Sequence, residues 1–274
     1  MSLHKKFSCS LCISTYNWPS ALRLCLQSVM TQSVWPDEII IADDGSGSET
    51  KALIEEFIAK LPVSVIHVWQ PDEGFQLAKI RNKAFAKAKR DYIIQIDGDI
   101  VLHPKFIEDH KRIARANTFI CGAKSLMTNG YSKKMIEQQQ FQKPSFFSHQ
   151  LSRKYNALRC WPLTLLNYFL QRGKKEYRYV IGANMAFWKK DVLKVNGYNE
   201  TFKGWGKEDC ELAVRLDKAN VKIRFIKFAA IAYHLHHKVA SLHNVPLNEV
   251  LLQEAVNNNI IFTPKGIKDY LLND

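Results

Sequence analysis

The sequence predicts an α/β fold with a mainly parallel central sheet flanked by helices. Three observations carry that expectation. Strand-like apolar runs are separated by segments whose apolar residues recur at the helical period. The helical segments are about 10 to 15 residues long, the size of the crossovers that join parallel strands. The polar motifs gather where the apolar runs stop, and in open parallel sheets ligands bind beyond the strands' carboxyl ends.

Taken in order, Phe7 to Ser14 alternates apolar and small polar residues as a strand does, and Ala21, Leu22, Cys25, Leu26, Val29 and Met30 then repeat with helical spacing. Trp18-Pro19-Ser20 supplies the helix start. A second unit follows with a strand over Glu38 to Ala42, a helix over Glu49 to Lys60 closed by Pro62, and a strand over Val63 to Trp69. A helix over Gln76 to Lys89 and a strand over Tyr92 to Ile96 complete the first half. Later, Glu208 and Asp209 open a helix anchored by Leu212, Ala213, Val214 and Leu216.

With 274 residues, 46% apolar and 24% charged, the chain can bury a full core as one large domain or a domain with an appendage. No apolar stretch reaches the roughly 18 to 20 residues that span a bilayer. Met1 to Lys6 lead into a strand-like segment without a signal-peptide core, so the expected location is the cytoplasm. The six cysteines, scattered among apolar neighbours, read as reduced core residues. Cys9 and Cys12 form a CxxC, but on a strand their side chains point to opposite faces, and no second CxxC completes a zinc site.

The chemistry-bearing motifs sit at strand ends. Asp97-Gly98-Asp99 ends the run Tyr92 to Ile96; two carboxylates around one glycine can hold a hard divalent cation against phosphates, although the same triplet also forms ordinary turns. Ser14-Thr15-Tyr16-Asn17 and Asp43-Asp44-Gly45-Ser46-Gly47-Ser48 follow the first two strands. Carboxylates at Asp43 and Asp44 would repel a pyrophosphate lying on the following helix, and they suit a neutral base or ribose hydroxyls better. The alternative there is a turn with a helix cap.

These motifs carry a resemblance. Ser14 to Asn17, Glu38 to Ser46, Lys79-Ile80-Arg81-Asn82-Lys83-Ala84 and Asp97-Gly98-Asp99 resemble, in order, the nucleotide-sugar-binding half of the family 2 glycosyltransferases, which have the GT-A fold. Gly204 to Leu212 is similar to the acceptor motif of the β-1,4-galactosyltransferases and the chondroitin-polymerase-like branch, and Tyr233-His234-Leu235-His236-His237 resembles their closing histidine segment. The resemblance covers residues 7–120 and 179–237. It implies a Rossmann-like nucleotide-binding half over 1–123 and an acceptor half over 179–240; residues 124–178 depart from the family's pattern and read as a basic aromatic helical insertion, and residues 241–274 read as a helical tail.

It also implies roles. Thr15, Tyr16, Asn17, Asp43 and Asp44 would hold the nucleotide of a UDP-sugar, with Arg81 facing that side and Gly98 between the carboxylates. Asp99 would bind Mn²⁺ or Mg²⁺ directly, while Asp97 would sit nearer the ribose or reach the metal through water. His234, with His237 as the alternative, would complete the metal shell; on a continuous strand His234 and His236 share a face and His237 points away. Asp209 would be the general base of a single inverting displacement, Glu208 would bind sugar hydroxyls, and Trp205 after Gly204 would stack on a sugar ring. In the first turn of a helix, both acids are expected to stay ionised.

The chain carries a net charge of +13, and residues 124–178 hold eleven Lys/Arg against two acids, a net of +9. Interleaved with Phe141, Phe146, Phe147, Tyr155, Trp161, Tyr168 and Phe169, these charges suit an anionic membrane surface or an acidic glycan or lipid-linked acceptor; the alternative is a solvated helical insertion. Two other classes compete. A basic nucleic-acid or polyanion binder explains the charge but gathers Asp43, Asp44, Asp97, Asp99, Glu208 and Asp209 where phosphates would pass, so no specific nucleic acid is expected. A nucleotidyltransferase would use paired aspartates and a metal, yet leaves the Gly-Trp-Gly-Lys-Glu-Asp segment unexplained.

Overall fold

The computed structural model describes residues 7–147, 149–170, 177–238 and 241–271. Met1 to Lys6 and, in the basic segment, Arg172, Lys174, Lys175 and Glu176 lie outside them. The first half alternates as expected: β1 (Cys9–Thr15), α1 (Pro19–Met30), β2 (Glu38–Asp43), α2 (Ser48–Lys60), β3 (Val65–Trp69), α3 (Leu77–Lys87) and β4 (Tyr92–Asp97). Then come β5 (Ile100–Leu102), α4 (Phe106–Ile113), β6 (Thr118–Gly122), β7 (Lys124–Met127), α5 (Asn129–Gln138), β8 (Leu151–Ser152) and α6 (Trp161–Leu170). The chain continues through β9 (Asn184–Trp188), α7 (Lys189–Lys194), α8 (Glu208–Lys218), β10 (Lys222–Ile226), β11 (Ala232–His234) and α9 (Val245–Asn257).

A seven-stranded sheet runs in the order β10-β6-β9-β4-β1-β2-β3, and only β9 is antiparallel to its neighbours. Both faces are covered, which is why its strands read as nearly unbroken apolar runs. On one side Leu11, Ile13, Ile39, Ile41, Ile94 and Ile96 pack against α1, α2 and α4; on the other Cys12, Ile40, Ile93 and Phe187 pack against α3 and α8. Cys9 and Cys12 fall into these opposite layers, as their spacing on a strand requires, and all six cysteines are free.

A smaller sheet, ordered β5-β11-β7-β8, stands beyond the carboxyl end of β4. Residues 124–178 supply α5 and α6 and also two of its strands, β7 and β8. Because β11 pairs with both β5 and β7, residues just after Asp99, just before His234 and at Lys124 share one small platform. At the C-terminal side α9 packs on α8 through Leu252 and Ala255 against Cys210 and Val214. No helix among the described residues is long and apolar enough to cross a membrane.

Candidate active site

A cavity of about 540 Å³ opens at the carboxyl ends of β1 and β4. The chain winds from β1 toward β2 on one side and returns to add β4 on the other, so the two strand ends diverge into a crevice. Thr15, Tyr16 and Asp44 line one end and Trp205, Glu208 and Asp209 the other, with Asp97, Gly98, Asp99, His234 and His237 between. Gly98 sits at a close approach: its N–H donates to Ser14 O at 2.7 Å, and an added Cβ would lie 3.0 Å from that oxygen, tight enough that the neighbouring backbone would have to give.

At the end lined by Thr15 and Tyr16, Asp44 accepts bonds from Gln70 Nε2 at 2.6 Å and the Gln76 N–H at 2.8 Å, while burial pushes its carboxyl above the usual range. Tyr16 stays half exposed, its hydroxyl donating to Asp72. Asp43 and Asn17 are not among the lining residues. Their polar atoms hold the adjoining turns instead: Asp43 accepts from the Ser46 N–H and meets His67 Nε2 at 3.0 Å, and Asn17 Oδ1 accepts from the Gly47 N–H at 3.0 Å.

Asp99 forms a compact ligand set with both candidate histidines. Its Oδ2 lies 3.0 Å from His237 Nε2 and 3.4 Å from His234 Nε2, the two imidazole nitrogens are 3.4 Å apart, and Asp99 Oδ1 is buried without a hydrogen-bond partner. One carboxylate oxygen and two imidazoles, with one donor atom per residue lying within 4.8 Å of the others, fit a divalent transition metal such as Mn²⁺ better than Mg²⁺. The expectation that His237 would point away fails because β11 ends at His234; the chain then bends and brings His237 back to Asp99, while His236 is not part of the cluster. Burial lowers the His234 pKa to about 4, whereas the hydrogen bond to Asp99 raises that of His237. Burial pushes Asp99 upward, but the His237 bond and the neighbouring imidazoles leave it below the usual carboxylate range.

Arg81, expected to face the nucleotide, joins the two halves of the site. Its buried guanidinium donates to Asp97 Oδ1 at 2.8 Å, Asp209 Oδ1 at 2.9 Å and, through Nε, Ser14 Oγ at 3.2 Å. Burial pushes Asp97 upward against the opposing pull of Arg81. Asp209 also accepts from the Tyr198 hydroxyl at 2.7 Å and the Gly182 N–H at 2.9 Å. An added Cβ on Gly182 would sit 2.3 Å from Asp209 Oδ1, so that position admits only glycine without displacing the carboxylate.

Tyr198 is itself clamped, since Asn82 bonds both its N–H and its carbonyl. Glu208 departs from the expected ionised state: buried, with Oε2 unpartnered and Asp209 beside it, it has its pKa raised to about 8. The helix N-terminus does not offset that desolvation.

Trp205 stays partly exposed, in a turn where Gly204, Gly206 and Lys207 all take positive φ. Gly204 lines a neighbouring cavity of about 560 Å³ that shares Phe75 and Trp205 with the main one. Sequence reasoning missed Ser14, Phe75, Lys124, Gly182 and Tyr198. Gly182, Tyr198 and Phe75 lie outside every motif, and only Ser14, the first residue of the Ser14–Asn17 motif, and Lys124, beginning the basic segment, carried a signal.

The sequence pattern described as "Glycosyl transferase family 2" matches residues 10–169, more than half of the chain, and the pattern "N-terminal domain of galactosyltransferase" matches residues 169–238. This chain is a family 2 glycosyltransferase. The glycosyltransferase is 25% identical over 240 residues to the chondroitin synthase of Escherichia coli, covering 82% of this chain and 34% of that protein. It is 26% identical over 247 residues to the hyaluronan synthase of Pasteurella multocida, covering 84% of this chain and 25% of that protein. The chain thus spans about a third or less of these relatives.

Among solved structures it resembles the mannosyltransferase of Pyrobaculum calidifontis in complex with GDP-Man and Mn²⁺, with a TM-score of 0.61 and 15% identity, covering 97% of this chain and 68% of that one. It also resembles S. aureus TarS 1-349, with a TM-score of 0.62 and 15% identity, covering 97% of this chain and 71% of that one. The glycosyltransferase therefore has the expected GT-A fold, and the enzyme class resolves the choice against the nucleotidyltransferase and nucleic-acid-binding readings.

Proposed function

We propose that this glycosyltransferase moves a sugar from a UDP-sugar to a hydroxyl of a glycan or lipid-linked acceptor, with inversion and with a divalent metal, in the synthesis of a cell-surface polysaccharide or lipopolysaccharide. The observation that carries the reading is the joining of two carboxylate sites by one guanidinium: Asp97, beside the Asp99–His234–His237 cluster, and Asp209 both bond Arg81. The related chondroitin and hyaluronan synthases favour a polysaccharide acceptor.

Thr15, Tyr16 and Asp44 bind the nucleoside, Asp43 and Asn17 shape the turns that present them, and Asp97 with Gly98 faces the ribose. Asp99, His234 and His237 would hold the metal, which when bound would supply positive charge against the donor's diphosphate. Asp209 takes the proton of the acceptor hydroxyl as its oxygen attacks the anomeric carbon; Arg81, Tyr198 and Gly182 fix the carboxylate's direction. Trp205 and Glu208 position the acceptor sugar. A panel of nucleotide sugars assayed for nucleoside diphosphate release should give Mn²⁺-dependent turnover with a UDP-sugar; release from no member of the panel would sink the reading.

Docking on an anionic membrane surface belongs to the same proposal. In α6, Trp161, Thr164 and Tyr168 face the core while Leu163, Leu165, Leu166, Phe169 and Leu170 are exposed, so the helix presents an apolar outer face as well. Arg112 stacks 3.7 Å from the Trp161 ring centroid, and the surrounding segment is strongly basic. That combination suits an interfacial helix. The chain should co-sediment with vesicles containing anionic phosphatidylglycerol, and Leu166→Glu with Phe169→Glu should weaken binding by about tenfold or more. Equal binding to neutral vesicles, or none to either, would refute it.

A further inference from the structure

Four cationic side chains line the main cavity: Arg81, Lys124, Arg178 and Lys207. Arg81 is bound by Asp97 and Asp209, Lys207 pairs with Glu249 at 2.8 Å, and Arg178 lies near the Tyr177 ring on the exposed rim. Among the described residues, the Lys124 ammonium has no hydrogen-bond or ion-pair partner, although its side chain is only partly exposed.

Its position follows from the smaller sheet. Lys124 begins β7 directly opposite Ala232 in the parallel pairing with β11, so Lys124 and His234 project from the same face, offset by two residues or roughly 7 Å along the strands. The ammonium's charge is felt by the Asp97 and Asp99 carboxylates and by both histidines; a metal at Asp99, His234 and His237 would offset the attraction of those carboxylates, and a polyanion lying between metal and ammonium would be attracted to both. An ammonium is a compact point charge suited to phosphate oxygens.

We infer that Lys124 binds the terminal phosphate of the donor's diphosphate and stabilises it as the leaving group, a role that rests on the nucleotide-sugar reading above. As the bond between the anomeric carbon and the phosphate oxygen breaks, its electron pair remains on that oxygen, and the new bond forms from the acceptor oxygen whose proton passes to Asp209. Lys124 keeps its proton throughout and donates a hydrogen bond to the diphosphate, whose charge grows as the bond breaks.

Calorimetric titration of UDP, UMP and uridine, with Mn²⁺ present, into the wild type, Lys124→Met and Lys124→Arg tests the assignment. Lys124→Met should weaken UDP by about tenfold or more, as expected for losing one charge-assisted hydrogen bond, and leave uridine unchanged. UMP should lose far less than UDP, and Lys124→Arg should hold UDP within about threefold of wild type. Mn²⁺ affinity of Lys124→Met without nucleotide should be undiminished, since removing a cation cannot weaken a cation site electrostatically. Unchanged UDP affinity, or an equal loss for uridine, overturns the role of Lys124. A wild type that binds none of UDP, UMP and uridine overturns the UDP-sugar reading itself, and the inference with it.

Discussion

Asp209→Asn is expected to lower glycosyl transfer by about 10²- to 10⁴-fold, the range for losing a positioned general base, while UDP affinity stays within about threefold. Asparagine keeps the shape but cannot accept a proton. The three donors around Asp209, from Arg81, Tyr198 and Gly182, fix its orientation whether or not substrate is bound. Removing the charge also deprives buried Arg81 of one carboxylate, so a stability loss of about 1–3 kcal/mol should accompany the kinetic one. Thermal denaturation separates that effect from catalysis, because Asp97 still pairs Arg81 and the fold should persist. Transfer retained by Asp209→Asn but lost by Glu208→Gln would move the base to the neighbouring residue, whose carboxyl titrates at about 8.

Asp99→Asn should have the second large effect, on the metal. It removes the anionic ligand between the two imidazoles and leaves His234 and His237 without the oxygen they share. Mn²⁺ affinity should fall by more than the roughly 10- to 100-fold typical of losing an outer-shell partner. UDP binding should then become nearly independent of Mn²⁺, whereas uridine binding should not change. Measured by calorimetry at fixed UDP and varied Mn²⁺, an undiminished metal response would remove Asp99 from the ligand set.

Much of this was legible because parallel strands and their ends leave local marks. The runs Glu38 to Ala42 and Tyr92 to Ile96 are apolar except for buried Glu38 and Gln95, since both faces of the sheet are covered, and the strands at Glu38–Asp43 and Tyr92–Asp97 overshoot those limits by one residue. The helix at Glu208 was visible from its acidic start and apolar spacing. The smaller sheet was less legible: Ile100–Leu102 and Ala232–His234 are three residues each, too short for periodicity to declare, and their pairing is nonlocal. For the same reason the strand-alternation rule misplaced His237, because the strand ends before the rule applies. Tyr198 and Gly182 reach Asp209 through tertiary packing alone, and Glu208's raised pKa arises from burial that no sequence pattern reports.

In the proposed reaction one ion held by Asp99, His234 and His237 would also meet the donor's diphosphate. Pulsed electron paramagnetic resonance of Mn²⁺ bound to the protein with UDP tests it directly. Nitrogen couplings from imidazole and phosphorus coupling from UDP should appear on the same manganese, with the nitrogen couplings reduced in His234→Ala and in His237→Ala. Phosphorus coupling without nitrogen coupling in the wild type would show that the ion at the diphosphate is not held by His234 and His237.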